Sequence, residues 1–238
     1  MEERGTSPRT RIDLGFIIGM VFLMTAAGAT AGFVFDATFG KYDAKLPDVP
    51  AASEKQINEG MELQKAGNRK SSAFGCGCAG AILGAVFGLA MGLLTRNAGR
   101  AGLGMAVGVL LGGSLGAVGG YITQELSEYT ISHNVSSTIA YLVISSAFWL
   151  AIGIATGLTA VVIGSRSMSS GERFAGPLVG AILAAVLTPV LASVVFPLDY
   201  KGRIPPRERA ECYLVGAVGA ALLALGAGYS GNRRVDPP

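Results

Sequence analysis

The chain has 238 residues, of which 50% are hydrophobic and only 15% charged, and it contains 35 glycines. A soluble domain carries about 25% charged residues and about 7% glycine. The net charge of +3, without a Lys/Arg cluster interleaved with aromatics, argues against a nucleic-acid partner, and three cysteines build no disulfide framework.

All 19 Lys/Arg and all 16 Asp/Glu fall outside six apolar runs, at 14–35, 72–95, 101–124, 137–164, 174–198 and 212–230. Each run is near or above the ~20 residues that cross a ~30 Å hydrocarbon core as a helix. None shows the polar face of a water-soluble helix. The expected fold is an all-α integral membrane protein with six transmembrane helices. A single membrane domain at 14–230 then lies between polar tails at 1–13 and 231–238.

Arg4, Arg9 and Arg11 precede the first run, as in the n-region of a signal peptide, and Thr25–Ala31 contains small-x-small cleavage-like sites. Gly32–Phe35 carries the run to spanning length, so an uncleaved first helix is expected.

Residues 36–71 form the one sizeable connection, locally neutral, with Pro47 and Pro50 marking an extended stretch. Ser53 and Gln56 fit a capping box and Gly67 a helix stop, which predicts a short extramembrane helix over about 53–66 with Ile57 and Met61 on one face. Arg96–Arg100 reads as a tight turn that makes runs two and three an antiparallel hairpin. Segment 125–136 holds Glu125, Glu128 and His133; segment 165–173 holds Arg166 and Arg173. Segment 199–211 is basic and stiff, with Pro205 and Pro206.

Six spans put both termini on one side. The two sides collect nine and ten Lys/Arg, so the positive-inside rule hardly separates them. The Arg-rich N-terminus and Arg96/Arg100 lie closest to helix ends and set the expectation of cytoplasmic termini in a plasma or inner membrane.

Run two carries Gly80, Gly84, Gly88 and Gly92; run three carries Gly104, Gly108, Gly112, Gly116 and Gly120. In a bilayer the hydrophobic effect gives no net pull between helices, and association rests on the close backbone approach that small residues permit. These nine glycines are the candidate helix-packing residues. A period of four drifts about 40° per step around a 3.6-residue helix. Either the helices cross steeply or helix three meets different neighbours along its length. Gly113 and Gly119 favour the second option and make helix three the expected hub.

Gly80–Val86 resembles Gly180–Val186 and two weaker echoes accompany it, which would divide the chain into inverted three-helix halves, a transporter signature. Pro177 and Pro189 interrupt run five. Other apparent motifs lack their context. Gly75-x-Gly77-x-x-Gly80 has no preceding strand, and Ser114 in Gly112–Gly116 has no His/acid pair at its depth. Cys76, Cys78 and Cys212 start helices on one face but fall short of four metal ligands. No carboxylate is expected at membrane depth, where ionisable groups are functional by default.

The sequence therefore predicts a non-enzymatic structural or assembly component without cofactor or metal. Its expected partners are the lipid bilayer and further copies or membrane subunits. The alternative is a small-solute channel or facilitator built from the inverted halves. A polar mid-membrane cavity lined by Ser114, Ser145, Ser146, Thr156 or Thr188 would favour that alternative, and clustered carboxylates and thiols at one face would favour an enzyme.

Overall fold

The computed structural model describes residues 14–42, 54–94, 98–164, 169–196 and 209–231. They form six helices: α1 (Leu14–Thr38), α2 (Glu54–Leu94), α3 (Ala98–Ser132), α4 (Ser137–Ile163), α5 (Ser170–Val195) and α6 (Arg209–Gly231), with no strand among the described residues. All six are long and apolar enough to cross a membrane. Their outward faces carry exposed Phe22, Phe33, Leu110, Val118, Val186 and Val194. An apolar surface that continuous belongs against lipid rather than water. The chain is a multi-pass integral membrane protein.

α1 stops where Gly40 takes a positive φ of 79°, a conformation that costs glycine nothing. It runs past the expected boundary at 35 and so includes Asp36, which pairs with Arg209 at 3.3 Å. This contact ties the end of α1 to the start of α6.

α2 is the main departure from expectation. It is one unbroken helix of 41 residues, about 61 Å at 1.5 Å per residue. The separate helix expected at 53–66 is its first turns, and Gly67 does not stop it; the expected Ser53 cap lies outside the described residues. Glycine ends a helix only by leaving helical dihedrals. Here Gly67 is buried within the helix, and α3 runs alongside with Gln124, Ser127 and Thr130 buried. Across that contact Arg69 forks onto Glu128, Nη2 to Oε2 at 2.7 Å and Nε to Oε1 at 3.3 Å, and reaches Glu125 at 3.0 Å. The hydrogen bond to Glu128 pushes the Arg69 pKa up.

The α3–α4 turn is made by Asn134 at φ 51°, one of the few side chains that tolerates this region, while Val135 N–H donates to the Thr130 carbonyl at 3.0 Å. At the other end of α4, Arg173 donates to the carbonyls of Val161 (3.1 Å) and Gly164 (3.3 Å), groups that a helix end leaves open. α5 begins at Ser170, earlier than expected, because Ser169 and Glu172 form a complete capping box. The expected turn at 96–100 falls partly, and the loop at 199–211 mostly, outside the described residues.

α1 packs on α2 and α6, α6 on α5, α5 on α4, and α4 on α2, so these five close a ring; α3 lies outside it against α2 and α4. The hub is therefore α2, with 56% of its apolar window buried against 28% for α3, and not α3 as expected. The reason is that α2 carries a stripe of the same period. Both stripes drift together, as in the right-handed wrap that a repeat longer than 3.6 imposes. One partner can then follow the whole of α3's stripe.

Candidate functional site

We call the membrane face at which α1 begins the near face and the one at which α1 ends the far face. Toward the near face the ring is filled: Met20, Met24, Leu83, Phe87, Ile152 and Leu223 are fully buried. Trp149 of α4, the one tryptophan, reaches across the ring to Gly219 of α6, where even a methyl group would collide with the indole. Above Trp149, toward the far face, a partly open cavity of about 100 Å³ remains.

Its walls come from α1 (Ala31, Gly32, Phe35), α2 (Ser72, Cys76, Ala79, Leu83), α3 (Thr123), α4 (Tyr141, Ile144, Ser145, Phe148, Trp149) and α6 (Cys212, Val215, Gly216). The glycines shape it. Gly32 lies against the Cys212 carbonyl and Gly28 against that of Gly216, so α1 and α6 touch through backbone and leave the space to larger residues beside them.

At the far-face end, Tyr141 Oη donates to Glu211 Oε1 at 3.0 Å. Glu211 is 9% exposed in the first turn of α6, where the helix dipole favours a carboxylate. Glu211 directly precedes the last apolar run, and its burial follows from a tyrosine 70 residues away, which nothing local in the sequence announces.

The lining hydroxyls are already engaged. Ser72 donates to the Gly120 carbonyl at 2.8 Å, Thr123 to that of Gly119 at 2.6 Å, and Ser145 lies 3.3 Å from Thr188 Oγ1. Of the five hydroxyls expected to mark a polar conduit, only Ser145 lines the cavity. Ser114, Ser146, Thr156 and Thr188 donate to the carbonyls of Leu110, Leu142, Ile152 and Ala184 in their own helices. Cys76 and Cys212 both line the cavity, and neither they nor Cys78 form a disulfide. Among the described residues no three His, Cys, Asp or Glu side chains gather as a metal site. His133 is exposed at the α3–α4 turn, stacked on Tyr129 at 4.1 Å.

The nine candidate packing glycines lie along the α2–α3 contact. A methyl group at Gly80, Gly84 or Gly88 would fall on the carbonyl of Gly112, Gly108 or Gly104, and the reverse holds for each pair. Gly92 meets Ala101, Gly116 the Cys76 carbonyl, and Gly120 the Ser72 carbonyl. Each step of four along α2 is matched by a step of four back along α3. Gly113 faces Ala81, and Gly119 faces Ala151 of α4.

No protein-family model, no curated protein and no solved structure matches the chain, so the site stands on its geometry alone.

Proposed function

We propose that the protein is a non-enzymatic assembly component of a membrane, which holds a rigid helical stalk at the far face by glycine-zipper packing of α2 against α3. The observation that carries this reading is the continuity of α2. The segment 54–71 precedes the span expected from 72 and reaches about 27 Å beyond it. The Arg69–Glu125/Glu128 fork braces it against α3. Ile57, Met61 and Leu63 on this stalk are exposed, as are Tyr129 and Ile131 at the end of α3. Exposed apolar side chains beyond the hydrocarbon region suit contact with another subunit.

Native mass spectrometry of the protein released from its own membrane tests this. The expected species exceeds the 24.3 kDa monomer, and the double variant Ile57→Asp/Met61→Asp returns it to monomer with unchanged thermal stability. A wild-type protein found only as a monomer, with no bound subunit, removes the reading.

The alternative, a small-solute facilitator with inverted halves, is supported by one observation: the ring encloses a cavity on one side of Trp149. Passage would require Trp149 and Phe87, both fully buried, to leave the ring interior.

A further inference from the structure

We propose that the cavity above Trp149 is a lipid site that takes one acyl chain of a bilayer phospholipid. Its polarity is the first argument. Most of its wall is apolar, and the hydroxyls that border it, on Ser72, Thr123, Tyr141 and Ser145, all have partners within the protein. Among the described residues no buried side-chain nitrogen or oxygen lacks a hydrogen-bond partner. A bound water wants two to four polar partners, and an apolar cavity without them stays dry and takes apolar ligands. The lining hydroxyls thus offer a polar solute no hydrogen that is not already given within the protein.

Shape and position give the second argument. The lining runs from Tyr141 to Trp149 along α4 and from Ser72 to Leu83 along α2. At 1.5 Å per residue these are depths of about 12 Å and about 16 Å, roughly half the hydrocarbon core. The space is thus long in the direction of the lipid tails and ends at mid-membrane on an indole. Its outer end lies three residues from Arg209, whose side chain is 81% exposed beside Asp36. An exposed guanidinium at that level suits a phosphate, which is why a phospholipid is assigned rather than a neutral alkane.

Trp149 makes the site readable, since the single indole forms the floor and is 1% exposed. The protein is reconstituted in phospholipid vesicles whose acyl chains are brominated near their methyl ends, and Trp149 emission is compared with that in unbrominated vesicles. Bromine quenches at contact, and lipid around the bundle does not touch the buried ring. Loss of most of the emission is expected for the wild type. Filling the cavity from α2 (Ala79→Leu) or, independently, from α1 (Ala31→Leu) restores the emission, with an unchanged emission maximum in unbrominated lipid showing that the fold is kept. Equal quenching in wild type and both filled variants overturns the proposal, because the bromine then acts from outside. Absence of quenching in the wild type overturns it, as does efficient quenching by aqueous acrylamide, which would mark a water-filled vestibule.

Discussion

Gly84 and Gly108 each lie against the other's backbone carbonyl oxygen, so that neither position has room for a single methyl group. Such an approach brings Cα–H groups onto carbonyls, a weak contact that recurs at helix–helix interfaces and is worth about 0.5–1 kcal/mol each. Gly80 with Gly112 and Gly88 with Gly104 repeat the arrangement on either side of this pair.

The first prediction follows from that pair. Gly84→Ala or Gly108→Ala puts Cβ into main chain, which cannot yield as a flexible side chain can, and should cost about 1–3 kcal/mol. Gly19 and Gly102 have open space where Cβ would be. Alanine there should be neutral or stabilising by up to about 1 kcal/mol through helix propensity. Thermal unfolding in lipid nanodiscs separates the two classes; equal effects at Gly84 and Gly102 would show that the close approach carries no energy.

A second prediction concerns the stalk. Arg69→Ala should loosen residues 54–68, seen as faster amide exchange there than in the rest of α2. The Arg69 side chain is 32% exposed and its Glu128 partner 20%, so screening limits the fork to about 1 kcal/mol and the effect should shrink in high salt. A double-mutant cycle with Glu128→Ala measures the coupling, and strict additivity would assign the fork no role.

Third, Tyr141→Phe deletes the donor to a buried carboxylate. Hydrogen bonds to charged groups contribute about 1.5–3 kcal/mol, and Glu211 stays buried without this one. The variant should unfold at lower temperature, and Glu211→Gln, which keeps an acceptor for Tyr141, should lose less. If both variants match the wild type, the contact is incidental.

Fourth, six spans fix relative sidedness. In a background without native cysteines, Lys41→Cys and Ile131→Cys should react with an impermeant reagent from one side, and Ala98→Cys from the other. All three positions are exposed. Labelling of 98 and 131 from the same side would break the six-span topology.

The spans were legible because hydrocarbon thickness dictates their length and charge cannot enter them, a constraint written directly into the order of residues. The ends of helices were less so. Ser169 and Glu172 sit at capping-box spacing and could have announced the start of α5, but the nearby Arg166 and Arg173 made the segment read as loop. Gly67 read as a stop because a lone glycine after a polar helix usually is one. The missed signal was that small or polar residues continue on the facing sides, Gly60 and Gly67 on α2 and Ser127 and Thr130 on α3, all buried. The cavity was not legible at all. It depends on which residues of five helices share a depth, and on Trp149 meeting Gly219, a register that no single helix encodes.

The unbroken course of α2 has a mechanical consequence. A bundle meets a change in bilayer thickness partly by tilting. Because α2 is one continuous helix, its first 18 residues, which the proposed reading places beyond the bilayer, would act as the outer arm of a lever. A tilt of about 10° would carry the tip of an arm of about 27 Å sideways by about 5 Å. On the proposed placement of that arm outside the bilayer, the protein would turn the thickness of its surroundings into a displacement in water.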